Sequence, residues 1–187
     1  MDFFTAFGLA ASAGLNAYIP LLTVSLLARF TNLIELAKPC DALQSWWVIG
    51  ILVVLSAVEF FADKIPAVNH VNDVIQSLVR PTVGAILFAS NSGVVTQVNP
   101  IFAAVIGILV AGSVHTVKAA AVRPAVTATT GGVGNVPVSI LEDLSSTVFS
   151  ILAIIIPALV VAVIIVIAAF IVWWIWRRIN KERAARY

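Results

Sequence analysis

The chain carries the same apolar hexamer twice, and the surroundings of the hexamer repeat as well. The segment Val48-Ile49-Gly50-Ile51-Leu52-Val53 reappears unchanged at 105–110, and Pro66-Ala67-Val68 returns as Pro124-Ala125-Val126. The second copy has one residue more between the hexamer and Pro-Ala-Val. Many membrane transporters are built from internal repeats around a central site. The sequence therefore predicts an internal two-fold repeat, with copies at about 46–97 and 101–157.

The composition indicates the solvent in which the chain folds. Of its 187 residues, 61% are hydrophobic and only 11% are charged, and the mean hydropathy is +1.07. These values lie far outside the range of soluble proteins. A spanning helix needs roughly 20 apolar residues, and apolar stretches lie at 3–28, 46–62, 101–117 and 148–176. We therefore predict an all-α, polytopic helical membrane protein, with about five to six transmembrane helices in a single domain, 1–187.

Several kinds of site are disfavoured by what the sequence lacks. The start, Met1-Asp2-Phe3-Phe4, has no basic region of a signal peptide, so the first helix is expected to remain as a span. The lone Cys40 allows neither an intrachain disulfide nor a cysteine metal cluster. With no His-x-x-x-His or Glu-x-x-His pattern and no basic stripe among aromatics, we expect no metal, no cofactor and no nucleic-acid partner.

The distribution of cations predicts the orientation. Five cations crowd the tail 177–187, which should therefore be cytoplasmic and favour an anionic inner leaflet. The cations that follow the second and fourth apolar stretches should lie on the same side: Lys64, Arg80, Lys118 and Arg123. The simplest path has both termini inside, with crossings along 3–28, 46–63, about 80–97, 100–120, about 137–156 and 158–177.

The stretch Val148–Trp176 leaves two topologies open. Its 29 uncharged residues measure about 44 Å at the helical rise. That is long for one upright span and short for two spans with an ordinary loop. Either one tilted helix is kinked at Pro157, or a tight hairpin turns there. The lack of polar turn residues favours one helix, whereas the charges favour two crossings, and we prefer an even number.

Two segments break the helical pattern at membrane depth, and each presents Gly, then Asn, then Pro. They are AGLNAYIP at 13–20 and TTGGVGNVP at 129–137. Glycine permits unusual dihedrals, and proline removes a hydrogen-bond donor. In a bilayer, such backbone is tolerated only where it is buried in protein or lines a cavity. Both segments could belong to a solute site made of helix ends. Alternatively, the first is a packing kink and the second a cytoplasmic turn.

Each copy of the repeat also carries an ionisable patch. Glu59 and Asp63 are four residues apart, and His115 and Lys118 are three apart, so each pair shares a helical face. Ionisable residues at membrane depth are functional candidates by default, although His115 could equally be a neutral core histidine. We expect no catalytic residues, and we expect substrate to be bound by Asn16, Glu59, Asp63, His115, Lys118, Thr130, Gly131, Gly132 and Asn135. The segment 131–135 should converge with Asn16, Glu59 and His115 near the repeat axis.

Other polar residues are predicted to have structural roles. Lys64 and Arg123 lie near the expected interface and can extend to water. The segment 69–80 is amphipathic, which predicts either a helix at the cytoplasmic interface or the polar start of the third crossing. Glu142 and Asp143 come early in a helix, where anions suit the dipole, and are expected to cap and anchor it.

Several of these motifs, taken in order, resemble a known family. They are AGLNAYIPL at 13–21, EFFADKIP at 59–66, HVND at 70–73, VRP at 79–81, TGGVGN at 130–135 and Glu142-Asp143. Together they resemble the bacterial multi-pass membrane family called domain of unknown function 4126, over most of the chain. The resemblance implies an integral protein of the bacterial inner (plasma) membrane and implies no activity.

These features support three functions to different degrees. The favoured one is a channel or transporter for an ion or small polar solute, with its site at the repeat interface and with membrane lipids as its other partner. The second is a non-catalytic scaffold or assembly subunit, because Ala103, Gly107 and Ala111 form a small-residue ridge suited to helix association, including homo-oligomers. A membrane-embedded lipid enzyme is least favoured, since no nucleophile–base or metal constellation has a recognisable spacing.

Overall fold

The computed structural model describes residues 3–64, 66–90 and 99–184. Regular structure in these ranges is helical, which confirms the all-α prediction. The helices are α1 (Phe3–Leu15), α2 (Tyr18–Phe30), α3 (Trp46–Ala62), α4 (Pro66–Ala89), α5 (Pro100–Val117), α6 (Arg123–Thr130), α7 (Asn135–Ile155) and α8 (Pro157–Ala184). A 3-10 turn, Cys40–Gln44, precedes α3, and a π-helical turn, Lys118–Val122, joins α5 to α6. The end of the predicted third crossing, 91–98, and the last three residues of the basic tail lie outside the described residues.

Length and apolar composition identify two described segments that could cross a bilayer. These are Pro100–Thr130, which includes the π-helical turn, and Asn135–Ile155. Shorter apolar helices cover Phe3–Leu15, Tyr18–Phe30, Trp46–Ala62 and Ala162–Trp174. This criterion gives fewer spans than the sequence predicts, in part because the first predicted crossing is divided into two helices of 13 residues each.

The predicted break in the first crossing lies between α1 and α2. The Asn16 side chain caps α2, because its Oδ1 accepts hydrogen bonds from the backbone N–H groups of Tyr18 and Ile19, each at 3.1 Å. Carbonyl oxygens at the end of α1 have no partner within the helix. Side chains from other helices bond to two of them, those of Gly14 and Leu15.

Helix α1 lies at the centre of the bundle. It packs against α4, α5, α7 and α8. Its residues Ala6, Ala10 and Ala13 are completely buried. Small side chains allow neighbouring helices to approach closely, so α1 provides the surface on which the other four helices assemble.

The small-residue ridge of α5 packs inside the chain. Gly107 lies so close to α4 that a Cβ atom at this position would overlap the carbonyl oxygen of Gly84. Ala103 and Ala111, one turn to either side, are completely buried. The ridge that suited association with another molecule is therefore used to join α4 and α5 of one chain.

The chain is interrupted between α7 and α8. Helix α7 ends at Ile155, Ile156 has φ −137° and ψ 68°, and α8 begins at Pro157. Proline disfavours helical geometry in the residue before it and cannot donate a backbone hydrogen bond. The stretch Val148–Trp176 is therefore divided between two helices, not built as one continuous helix with a kink.

Helix α4 buries its polar side and exposes its apolar side. Gln76 and Arg80 are 2% and 0% exposed, whereas Val74 and Leu78 are 70% and 75% exposed. The amphipathic segment 69–80 is continuous with the predicted third crossing, so it is the polar start of a longer helix. Its orientation is opposite to that of an amphipathic helix on a water-soluble protein.

Candidate functional site: a buried network of ionic side chains

Acidic and basic side chains from several helices meet beside the break between α1 and α2. At the most buried end, Nη2 of Arg80 lies 2.9 Å from Oε1 of Glu59, and both side chains are completely buried. The same Glu59 oxygen accepts the backbone N–H of Ala17 at 3.4 Å. A carboxylate therefore lies at the start of α2, where the helix dipole favours negative charge.

Arg80 connects this pair to α1 and α5. Its Nη1 lies 3.2 Å from the carbonyl oxygen of Gly14 and 3.2 Å from Nδ1 of His115. A guanidinium group can only donate, so Nδ1 of His115 accepts and the imidazole carries its proton on Nε2. Of the two alternatives for His115, the neutral core histidine is the one that these contacts support.

Asp63 is held by cations from three helical segments. Arg123 Nη2 lies 2.9 Å from its Oδ2, while Lys118 Nζ and Arg80 Nη2 each lie 3.9 Å from that oxygen. Asn72 donates a hydrogen bond to Oδ1 at 2.6 Å. Because the Asp63 side chain is only 2% exposed, its charge depends on these neighbours instead of on water.

The second half of the chain contributes two cations and a further acid. Lys118 Nζ lies 2.7 Å from Glu142 Oε2 and donates to the carbonyl oxygen of Leu15 at 3.0 Å. Arg123 Nη2 lies 3.2 Å from the same Glu142 oxygen, and its Nη1 lies 3.3 Å from Asp73 Oδ1. Ionic contacts thus connect α3, α4, α6, α7 and the π-helical turn in one network.

Asn16 extends the network to Asp143 on the other side of the break. Its Nδ2 donates to Asp143 Oδ1 at 2.9 Å, and Lys64 Nζ lies 3.2 Å from Asp143 Oδ2. Lys64 also donates to the carbonyl oxygen of Phe60 at 2.9 Å. One amide therefore performs two tasks, since the Asn16 oxygen caps α2 while its nitrogen holds an acid of α7.

Exposure of the acids falls from one end of the network to the other. The side chains of Asp73 and Asp143 are 21% and 12% exposed. Those of Asp63 and Glu59 are 2% and 0% exposed. The network thus leads from a partly accessible rim to a fully buried end.

Two atoms at the buried end have no hydrogen-bond partner among the described residues. They are Oε2 of Glu59 and Nε of Arg80. The contact between these side chains joins Oε1 of Glu59 to Nη2 of Arg80. It therefore leaves Oε2 as an unused acceptor and Nε as an unused donor. Buried polar atoms are nearly always paired, so this end of the network has capacity for a further proton or polar group.

Hydroxyl groups continue the polar contacts between α1 and α7 beyond Asn16. Ser12 Oγ lies 2.9 Å from Ser146 Oγ and 2.7 Å from Ser150 Oγ, and all three residues are buried. At these distances the oxygen atoms are in direct hydrogen-bond contact, with no space for an ion between them.

The structure brings some of the predicted substrate-binding residues together and leaves others apart. The network contains Asn16, Glu59, Asp63, His115 and Lys118. The others lie in or beside the turn between α6 and α7: Thr130, Gly131, Gly132 and Asn135.

Segment 131–135 was expected to converge with Asn16, Glu59 and His115, but the side-chain hydrogen bonds that the structure describes for this segment stay within α6 and the turn that follows it. Gly131 and Gly132 have φ values of 64° and 93°, which glycine adopts without strain, and they end α6. Thr130 Oγ1 accepts the Gly134 N–H at 3.0 Å, and Asn135 Nδ2 donates to Thr127 Oγ1 at 2.9 Å.

Six charged residues of the network were not predicted as site residues from the sequence, namely Lys64, Asp73, Arg80, Arg123, Glu142 and Asp143. Arg123 was expected to reach water but is only 7% exposed. Glu142 and Asp143 were expected to cap α7, yet they lie more than one turn inside it and pair with cations of other helices. One feature that the two arginines share is visible in the sequence, because Arg80 and Arg123 each directly precede a proline.

The chemistry available to this site is ionic and hydrogen-bonding. Among the residues described by the structure, no group of three or more histidine, cysteine or acidic side chains is placed to hold a metal ion. Each acid that forms the network is instead paired with a lysine, arginine or asparagine side chain.

The fold and the site together define an all-helical protein with a polar, ionic centre and an apolar exterior. The chain belongs to the family described as Domain of unknown function (DUF4126), whose model matches residues 3–178. No curated protein and no solved structure matches the chain.

Proposed function

We propose that this protein crosses the bacterial inner membrane about five to six times and is a channel or transporter for an ion or small polar solute. The orientation of side chains in α4 supports the membrane location. A helix that buries Arg80 and exposes Leu78 is unfavourable in water, where apolar exposure is costly, and is favourable in lipid.

The observation that carries the transport proposal is the ionic network beside an interrupted helix. Ionisable side chains at membrane depth are expensive and mark ion or solute pathways. Helix ends that face polar groups near the middle of a bundle are how many transporters hold their substrates. Here Glu59 and Arg80 meet the ends of α1 and α2 at the centre of the bundle.

A scaffold role is less well supported than transport. The evidence for it was the ridge of Ala103, Gly107 and Ala111, and this ridge is covered by other helices of the same chain. Nor does a structural role alone account for a network whose buried end retains a carboxylate oxygen with no partner in the described part of the chain. Homo-oligomers and other assemblies remain part of the proposal only through surfaces other than this ridge.

The membrane arrangement is tested by topology mapping. We propose a cytoplasmic C-terminal tail and an opposite-side loop that contains Cys40. A reporter enzyme that works only in the cytoplasm should be active when it is fused after Tyr187. An impermeant thiol reagent should label Cys40 from outside intact cells. Labelling of Cys40 only after the cells are opened would contradict this arrangement.

The transport proposal is tested with purified protein in liposomes. Uptake of ions and small polar solutes should exceed that of protein-free vesicles. It should fall or change its pH dependence in Glu59→Gln and in His115→Ala. The matched control is Glu35→Gln, which neutralises an acid in the exposed loop before α3. Unchanged flux and pH profile in both network variants would remove the main support for transport.

A further inference from the structure

The ends of α1 and α2 are already occupied by groups of the protein itself. The carbonyl oxygens of Gly14 and Leu15, where a metal cation would bind, accept hydrogen bonds from Arg80 and Lys118. At the start of α2, the N–H of Ala17 is held by Glu59, and the N–H groups of the next two residues are held by Asn16. These two carbonyl oxygens and three N–H groups are therefore already bound by side chains of the protein itself.

One position at this centre is open to a ligand of minimal size. Glu59 Oε2 is buried and has no partner among the described residues, while Oε1 is held by Arg80 and Ala17. A carboxylate oxygen without a donor binds a proton directly, with no need for a cavity.

Among the residues that the structure describes, the ion pairs of the network also leave one negative charge in excess. Its five carboxylates are Glu59, Asp63, Asp73, Glu142 and Asp143. Its four cations are Lys64, Arg80, Lys118 and Arg123. An excess charge in a buried setting is unfavourable, and one proton would cancel it.

From the free oxygen, the filled helix ends and the charge balance, we infer that the ion moved through this site is the proton, and that Glu59 is the residue that binds it. This inference rests on the proposed transport function and specifies its ion. The step balances: a hydronium ion transfers its proton to Glu59 Oε2, one O–H bond of hydronium breaks and leaves water, one O–H bond forms on the carboxyl group, and the net charge of the network rises by one.

The rim of the network provides the direction of access. The acids are progressively less exposed from Asp73 and Asp143, through Asp63, to Glu59. Protonation of Glu59 weakens its hold on Arg80, and Asp63 lies 3.9 Å from the same Arg80 nitrogen as an alternative acceptor. Binding of the proton is thereby linked to a change of partner for Arg80 at the break between α1 and α2.

The proton affinity of Glu59 is set by charged groups on every side of it. Arg80 faces it from α4, Tyr18 from α2, and Asp63 from the end of its own helix. Lys118 acts from the π-helical turn, and His115 of α5 acts through its contact with Arg80. Helix α1 contributes no titratable side chain, as its sequence shows.

Infrared difference spectroscopy on the full-length protein in lipid tests the binding step. Acidification of the wild-type protein should produce a carboxylic-acid C=O band that is absent in Glu59→Gln and present in Glu35→Gln. Glu59→Asp keeps a carboxyl group, so its band should persist at a shifted frequency, which identifies the group even if Glu59→Gln folds poorly. If Glu59→Gln, correctly folded, retains the full wild-type band, the inference is overturned.

Proton flux tests the transport step with the proton itself as the probe. In liposomes that contain a pH-sensitive dye, a potassium diffusion potential should drive proton entry in the wild type, and Glu59→Gln should slow entry about a hundredfold. Flux of another solute that does not depend on protons would overturn the inference and leave the proposed function standing. A titrating Glu59 band without flux of protons or of any solute would overturn the proposed function and, with it, the role of the proton in transport.

Discussion

Lys118 and Arg123 are five residues apart and still bind the same two acids, Asp63 and Glu142. In a regular α-helix, side chains five residues apart diverge by about 140°. Here the residues between them form a π-helical turn, in which the Arg123 N–H bonds to the Lys118 carbonyl oxygen. This wider turn returns the chain to the same face after five residues, and such turns are frequent at functional sites.

Insertion of one alanine after Ala120 should therefore disrupt the network. The added residue lengthens the segment between Lys118 and Arg123 and rotates Arg123 away from its two acids by about 100°. We expect a clear loss of thermal stability in detergent, measured by circular dichroism. The control is Ala121→Ser, which changes an exposed residue of the same turn without altering its length. Equal melting temperatures for the insertion variant and the wild type would show that the turn does not position Arg123.

The extra residue of the second sequence copy falls in the interval that includes this turn. In the first copy the corresponding interval, between Val53 and Pro66, includes the end of α3 and the start of α4. In the second copy, between Val110 and Pro124, the chain remains helical throughout. The two copies therefore share a sequence pattern, while their local structures differ where the register differs.

The Glu59–Arg80 pair should behave as a unit in stability measurements. Removal of one buried partner leaves an uncompensated charge and costs about 3 to 5 kcal/mol, whereas removal of both can be close to neutral. We expect Arg80→Met to be strongly destabilised and Glu59→Gln combined with Arg80→Met to recover much of the loss. The free energies of chemical unfolding of the wild type, the two single variants and the double variant form a double-mutant cycle that measures the coupling. Purely additive effects would show that the pair is not coupled.

The contact between α4 and α5 predicts a sharp difference between two glycines. A Cβ atom at Gly107 would overlap backbone atoms of α4, which cannot move aside as a flexible side chain could. We expect Gly107→Ala to cost about 1 to 3 kcal/mol. Gly50→Ala is the matched control, because nothing lies within 4 Å of a Cβ atom there, and alanine should stabilise that helix by roughly 0.5 to 1 kcal/mol. Thermal unfolding in detergent compares the two, and equal melting temperatures would contradict the close contact.

The thiol of Cys40 should react slowly at neutral pH. Burial raises the pKa of Cys40, and the neighbouring carboxylate of Asp41 raises the pKa further. A raised pKa leaves less thiolate at a given pH, so the labelling rate should increase about tenfold for each pH unit below the pKa. Asp41→Asn removes the second cause and should speed labelling a few-fold at neutral pH. Stopped-flow maleimide labelling measures both rates, with glutathione as the reference thiol, and a slower Asp41→Asn would contradict this assignment.

The sequence was sufficient to predict that the chain is helical, but it did not show which face of each helix is buried. Composition and proline positions were sufficient for the all-α fold and the break at Asn16. The periodicity of 69–80 correctly identified two faces of a helix, but periodicity alone does not state which face is buried. In water Arg80 would face outward, whereas in this chain it is completely buried. The burial of Arg123 was likewise not predicted, because its partners Asp63 and Glu142 are distant from it in sequence.

The burial of Arg80 has a consequence for biosynthesis. An arginine at the centre of an isolated helix opposes insertion into lipid by about 2.5 to 3.5 kcal/mol, and α4 also carries Asp73 and Gln76. Helix α4 is therefore a poor substrate for the insertion machinery by itself. In the proposed membrane location, its entry into the bilayer would depend on Glu59 of α3, made before it, and on helices made after it. We would then expect α4 to wait, partly inserted or shielded, until α5 emerges and the bundle closes around the arginine.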